Sequence, residues 1–369
     1  MGALGPRPSL TETTMFDDIP RNRPFDAYQA FVLDCKLYWT RQIFPELRKR
    51  YAAQGGAPQT GADVAEMMAD DTTAQFFGWY ERHLQRMKYS GQRGLAVHYS
   101  HYREEIAAGL NAEVPERLLD IDPAFEQPEY YTNIDIHQHP GGVWSDEIAG
   151  YVYERGAQST APMIKKHASL WDRVKMQAME RAGPDVRRVV DLGCGFGAST
   201  LPFYAESPEI DVVGIELSAP CLRLAAQRAA EAQAQNVLFK QADAMDTGLE
   251  EGTSDIVTST MMLHEMPPSH IKGVFKESHR LLKPGGVSIH LDFLVRDDPF
   301  KEYVHYGHSA RNNEPFMVPL NKMDVLQAHK DAGFDDVEIV PFEEFDGALD
   351  PSMTSWRFPW TLIIARKSA

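Results

Sequence analysis

One stretch constrains this chain more than any other. VVDLGCGFGAST, residues 189–200, runs from an apolar strand pattern through an acid into Gly193, Gly195 and Gly197, then into small residues. Val189 and Val190 are β-branched and suit a buried strand. Glycines at this spacing let backbone N–H groups approach a ligand at the start of a helix. Such a turn joins a parallel strand to its crossover helix, so strand and helix patterns should alternate after it.

They do. RVVDLG is followed by ASTLPFYAES, a helix pattern, and then by DVVGIEL, a second strand. SAPCLRLAAQRAAEAQAQ reads as a helix with Ser218 as N-cap and Pro220 in its first turn. NVLFKQAD and SDIVTSTMML are the third and fourth strands, PSHIKGVFKESHRLL a helix stopped by KPGG, and VSIHLDFLV the fifth strand. An irregular insertion is expected over about 296–320, and a helix over NKMDVLQAHKDAGF. DVEIVPFEEF and WTLIIARK close the chain as two strands with no helix between them. The fold class is therefore α/β: a seven-stranded, mainly parallel sheet with an antiparallel C-terminal hairpin.

The preceding residues have a different period. Phe31, Leu37, Tyr38, Ile43, Phe44 and Leu47 recur at helical spacing, and 60–87 and 101–119 read as further helices. Residues 121–145 are rich in Pro, Gly and aromatics and read as irregular. SDEIAGYVYERGAQ reads as a helix with Ser145 as N-cap, followed by another over about 161–182. The Met67, Met68, Met87 stripe reads as core. For 369 residues two domains are expected: a flexible, Pro-rich N-terminus over 1–24, a mostly α-helical N-terminal domain over 25–160 that shapes an acceptor pocket and could dimerise, and an α/β domain over 161–369.

Charge narrows the partners. Lys and Arg number 37 against 53 Asp and Glu, a net charge of −16. Such a surface repels phosphate backbones and anionic headgroups, so neither nucleic acid nor a membrane is an expected partner. The cysteines, Cys35, Cys194 and Cys221, are odd in number and far apart, with no CxxC. That fits a reducing, cytoplasmic setting. No apolar run approaches the ~18 residues of a bilayer span, and the N-terminus lacks the apolar stretch of a signal peptide.

The acids identify the ligand class. Asp191, Glu216 and Asp243 fall at the ends of three successive strands, the side where such sheets bind ligands. An acid two residues before a glycine turn repels a pyrophosphate, which argues against a nicotinamide dinucleotide. It suits a cationic nucleoside, S-adenosylmethionine, with an ammonium and a sulfonium. Glu216 can bind ribose hydroxyls bidentately.

VVDLGCGFGAST, GIELS, QADAMD, DIVTSTMMLHEMP and LLKPGG, in that order, resemble the motifs of class I S-adenosylmethionine-dependent methyltransferases, with their Rossmann-like fold. The resemblance is strong over about 187–300 and extends to AHKDAGF and the closing strands. It implies that Gly193 and Gly195 approach the methionine portion, that Asp191 meets its ammonium directly or through water, and that Gly197 also belongs to the cofactor site. Glu216 and Leu217 would meet the ribose, and Asp243, Ala244 and Met245 the adenine region. The segment GGVWSDEIAGYVY resembles the family's lid over the cofactor, so Trp144, Tyr151 and Tyr153 are expected either near adenosine or acceptor or packed between the two domains.

Methyl transfer needs alignment and, for some acceptors, a base. His264, just beyond the fourth strand, is the candidate base, and Glu265 could orient it or the substrate. O-methylation of a small molecule is the first expectation. N-, S- or C-methylation without that base stays open, as do a nicotinamide oxidoreductase and a non-catalytic cofactor-binding partner. Tyr303, Tyr306 and Arg311 in the insertion are candidate acceptor contacts. His137 and His139 alternate on a loop without an identifiable third ligand, so no metal is expected. His98 and His101 read as helix or loop surface.

Overall fold

The computed structural model describes residues 19, 22–160 and 167–369. Most of the 1–24 stretch, and the start of the helix expected from 161, lie outside the described residues.

The chain first builds a helical layer. Helix α1 (Arg23–Tyr38) is capped by Asn22, which accepts from the N–H of Phe25. It passes through a π-turn at Trp39–Ile43 into α2 (Phe44–Gln54). Next come α3 (Gly61–Met67), α4 (Thr72–Tyr89), α5 (Leu95–Ser100) and α6 (Arg103–Leu110). The helix expected over 60–87 is thus two, because Asp71 accepts from the N–H groups of Thr73 and Ala74 and starts a new helix. The helix expected over 101–119 stops at Leu110 and gives way to a short strand, β1 (Leu119–Asp120). Helices α7 (Glu129–Thr132) and α8 (Ala149–Thr160) follow. Ser145 does not cap α8; its hydroxyl donates to the carbonyl of Gly141, and the helix begins later.

Helix α9 (His167–Ala182) leads into the alternating part: β2 (Arg188–Leu192), α10 (Leu201–Ala205), β3 (Asp211–Glu216), α11 (Ala219–Glu231), β4 (Val237–Gln241), β5 (Ser254–Thr260), α12 (Pro268–Leu281) and β6 (Leu282–Phe293). Ser218 caps α11 as expected, accepting from the N–H of Cys221 at 3.2 Å. The insertion expected to be irregular is helical: α13 (Pro299–Asn312) and α14 (Met317–Lys322). Asp298 caps α13, with Pro299 in its first turn. Its Phe300 and Val304 join Trp39, Phe44, Leu47, Phe77 and Leu84 in one buried cluster, so packing against the N-terminal helices stabilises a helix that local pattern alone did not reveal. Helix α15 (Val325–Asp331) and the strands β7 (Asp336–Pro341) and β8 (Trp360–Arg366) complete the chain.

The sheet has eight strands in the order β1-β4-β3-β2-β5-β6-β8-β7. Strands β1 to β6 pair in parallel, and β8 runs antiparallel to both β6 and β7. The strand beyond the seven expected is β1, whose Leu119 and Asp120 pair with Phe239 and Lys240. Alternation fills both faces. Val189, Val212 and Ile256 pack with α9 and α11 on one side. Val190, Val213 and Val257 pack with α12 and α15 on the other. Register places Asp191 beside Gly214 and Glu216 beside Gln241, so the acids that end β2 and β3 share one edge of the sheet.

Candidate active site

The glycine turn opens on that edge. Gly193 has φ +69°, and a Cβ there would stand 2.5 Å from the sulfur of Met262. Gly195 has φ +52°, and a Cβ there would meet nothing within 4 Å, so its outer side is open. The N–H of Gly195 donates to Oε2 of Glu216 at 3.0 Å, and that of Ser218 to Oε1 at 2.8 Å. Burial pushes the Glu216 carboxyl up to about 7, against the pull of those N–H groups. Asp191 is fully buried, and its Oδ2 accepts from the hydroxyls of Ser199 and Thr200, both at 2.7 Å. Its Oδ1 has no hydrogen-bond partner among the described residues. Burial pushes this carboxyl up to about 6, against the two hydroxyls. Oδ1 of Asp243 accepts from the N–H of Met245 at 2.9 Å.

Beyond β5 the chain turns sharply. Met261 takes a left-handed backbone, φ +56°, and a single 3-10 turn spans Leu263–Glu265. This delivers His264 onto Asp292 of β6. Nδ1 of His264 lies 2.8 Å from Oδ1 of Asp292, and Oδ2 accepts from the backbone N–H of Leu263 at 2.8 Å and of His264 at 3.3 Å. Both residues are buried. The carboxylate orients the ring through Nδ1, leaving Nε2 as its outward nitrogen. Burial lowers the affinity of His264 for a proton, but the charge of Asp292 outweighs it and holds the imidazole at about 9.

Residues 189–286 match the family described as a methyltransferase domain. The chain carries a class I S-adenosylmethionine-dependent methyltransferase domain. It is 29% identical over 196 residues to 27-O-demethylrifamycin SV methyltransferase of Amycolatopsis mediterranei, covering 53% of this chain and 65% of that one. It is 28% identical over 190 residues to erythromycin 3''-O-methyltransferase of Saccharopolyspora erythraea, covering 49% and 60%. A solved phosphoethanolamine N-methyltransferase 2 of Haemonchus contortus, in complex with S-adenosylmethionine, covers 55% of this chain and 57% of that one, at 19% identity and a TM-score of 0.40. The chain spans between 34% and 65% of the length of the curated relatives it matches.

The crevice of the methyltransferase domain fits the cofactor of its family. A fully buried carboxylate oxygen without a donor calls for a cation, and Glu216 keeps lone pairs after its two backbone bonds. A segment from the helical region covers the end of β3. Nε2 of Gln127 donates to the carbonyl of Leu217 at 2.7 Å, and the hydroxyl of Ser218 donates to that of Val143 at 2.7 Å. Tyr153 meets Phe196 of the glycine turn edge-on, with centroids 5.7 Å apart. Trp144 is half-buried against Gly142.

A polar network joins the helical region to the site. Nε2 of His137 lies 2.9 Å from Oε1 of Glu265, and its Nδ1 lies 3.0 Å from Oε1 of Glu314. Two carboxylates can only accept, so both ring nitrogens carry hydrogen. Burial opposes that charge, but the two acids prevail and raise His137 to about 9. His137 (φ +54°) and Gln138 (φ +55°) are both left-handed. Gln85 restrains this turn, donating to the carbonyl of His137 at 2.8 Å. Glu314 also approaches Nε2 of His308 at 3.7 Å, and His308 and Arg311 both bind Glu81 of α4.

The remaining expected residues each have partners of their own. Tyr303 packs with the helical cluster, and Tyr306 donates to Glu302 at 2.7 Å. Arg311 is committed to Glu81. Glu265 stands 4.0 Å from Nε2 of His264, while the residue that orients the ring is Asp292. Asp292 was missed, though HLDF carried a signal: an acid inside an apolar strand demands a partner. Glu314 and Glu81 carried no comparable signal. His98, read as surface, is buried and stacks on Phe25 with centroids 3.6 Å apart. Among the described residues no group of three or more His, Cys, Asp or Glu is placed to hold a metal ion, and no helix is long and apolar enough to cross a membrane.

Proposed function

We propose that this chain methylates a hydroxyl of a small-molecule acceptor, with His264 as the general base. The observation that carries the reading is the 2.8 Å contact between Nδ1 of His264 and Oδ1 of Asp292, which leaves Nε2 to take the acceptor's proton. The names of the rifamycin and erythromycin relatives support a hydroxyl acceptor. Bound in the crevice, S-adenosylmethionine supplies a methyl group already activated by its sulfonium. Asp191, Gly193, Gly195 and Gly197 would hold its methionine end. Glu216, Leu217 and Tyr153 would hold the nucleoside, with Asp243, Ala244 and Met245 at the base.

His264 does the proton work. Asp292 fixes the ring and stabilises the imidazolium that forms, and an imidazole of high affinity suits a weakly acidic alcohol. The lid residues Gln127, Val143 and Trp144 limit water at the end of β3. We place the protein in the cytoplasm, in keeping with its three free cysteines. A homodimer would use the exposed aromatics of α1 and α4: Phe31, Tyr38, Phe76 and Trp79.

The test is incubation of the purified chain with methyl-labelled S-adenosylmethionine and a cell extract, followed by mass spectrometry. Label on oxygen that disappears with His264→Ala, while S-adenosylhomocysteine affinity persists, is the expected result. Label on nitrogen, sulfur or carbon, or a wild-type rate in the variant, removes the base.

A further inference from the structure

Two imidazoles converge on one carboxylate. Asp292 holds Nδ1 of His264 and Glu314 holds Nδ1 of His137. Both rings turn Nε2 toward the same atom, Oε1 of Glu265, at 4.0 and 2.9 Å. The inner carboxylates are sealed, with side-chain exposures of 0% and 5%. Glu265 and His137 keep 22% and 20%. The more exposed pair is the one an incoming molecule can reach, while the sealed pair supports it from behind.

Besides burial, the charge of Glu265 raises Glu216 at the cofactor edge and the hydroxyls of Tyr130, Tyr131 and Tyr153. Glu265 itself sits in the turn after β5, next to His264 in the chain. Its Oε2 makes no hydrogen bond among the described residues, and Oε1 already accepts from His137. What the site offers an incoming molecule is two acceptor groups side by side: Nε2 of His264 in its basic form and the carboxylate of Glu265. Acceptor groups require donors. One donor is the hydroxyl to be methylated. The other sits on a neighbouring atom, because the Glu265 carboxylate comes within 4.0 Å of Nε2 through its Oε1.

We infer, resting on the hydroxyl-methylating reading above, that the acceptor is a vicinal diol, with one hydroxyl facing His264 and the adjacent one donating to Glu265. The hydroxyl at His264 gives its proton to Nε2 as its oxygen takes the methyl, whose bond to the sulfonium sulfur breaks and leaves neutral S-adenosylhomocysteine. The second hydroxyl keeps its proton and fixes orientation. His137, held from behind by Glu314, positions Glu265 and leaves one face of its carboxylate for the substrate.

Alicyclic and aromatic diols share this chemistry, so the test separates them. The full chain is incubated with methyl-labelled S-adenosylmethionine and matched pairs: catechol against phenol, and cis-cyclohexane-1,2-diol against cyclohexanol, with aniline and thiophenol alongside. The expected result is methylation of one diol about tenfold or more faster than its single-hydroxyl partner. In Glu265→Gln that ratio should collapse to about threefold or less, while calorimetric affinity for S-adenosylhomocysteine stays at the wild-type value and reports an intact fold. Equal rates within both pairs, or an unchanged ratio in Glu265→Gln, overturn the diol and leave O-methylation standing. Label confined to aniline or thiophenol, or no label on any alcohol by a chain that binds S-adenosylhomocysteine, overturns both.

Discussion

His137 and Glu265 lie 128 residues apart in sequence and 2.9 Å apart in space. The first belongs to a strained turn of the helical region, the second to the turn after β5. The pair ties the two regions together at the candidate active site, and the left-handed backbone at His137 and Gln138 costs about 1–3 kcal/mol for each residue. The ionic contacts to Glu265 and Glu314 offset that cost.

Those contacts should make stability depend on pH. The proton affinity of His137 is raised from 6.5 to about 9 in the fold. Its contribution is fully present below about pH 6.5 and is lost as pH rises through 9. His137→Gln should lower the melting temperature at pH 6 by about 4–8 °C. Calorimetry should show the difference shrinking above pH 9, and a constant difference at all pH values would contradict the ionic role.

Asp292→Asn tests the proposed base and the carboxylate that orients it. With His264 held at about 9, kcat/KM for the acceptor should climb with pH toward that value, because only the neutral ring is a base. Removing the Asp292 charge should move this limb toward the ordinary imidazole value and lower the plateau by about 100-fold or more. A limb that stays near 9 in the variant assigns it to another group.

Glu216→Ala should weaken S-adenosylhomocysteine binding by about 10- to 100-fold, through lost charged hydrogen bonds and the loosened N–H groups of Gly195 and Ser218. Isothermal titration decides this, and unchanged affinity would mean that the ribose lies elsewhere.

Asp191→Asn should act oppositely on stability and binding. The carboxyl stands at about 6 in the fold against 3.8 ordinarily, so ionising it is harder in the native state than in the unfolded chain. That destabilisation is absent below about pH 4, grows between 4 and 6, and persists above. The variant without ligand should melt higher than the wild type at pH 8 and nearly equal to it at pH 4. Its affinity for the cationic S-adenosylmethionine should fall at least about tenfold at pH 8. A variant that gains neither stability nor loses affinity would place Asp191 outside the cation site.

Much of the parallel core was legible because apolar period, glycine turn and strand-end acids are local signals. Asp191, Glu216 and Asp243 could be placed at strand ends from VVDLG, GIEL and QAD alone. What escaped depends on partners far away in sequence. Helix α13 owes its order to Phe300 and Val304 packing on Trp39, Phe44 and Phe77. Strand β1 is two residues long and has no period to detect. Glu314 and His137 meet across 177 positions, and neither flank hints at the other. His264 was identified by its place after the fourth strand, while Asp292, the residue that orients it, required the register of the fifth beside it.

The pairing of Leu119 and Asp120 with β4 has a practical reading for anyone trimming this protein. Cutting away everything before α9 strips the neighbour from an outer strand and leaves a row of unanswered N–H and C=O groups, an invitation to edge-to-edge aggregation. The same cut removes the imidazole that faces Glu265. A shortened version should therefore lose solubility and acceptor chemistry together, even though every motif from Val189 to Gly286 survives intact.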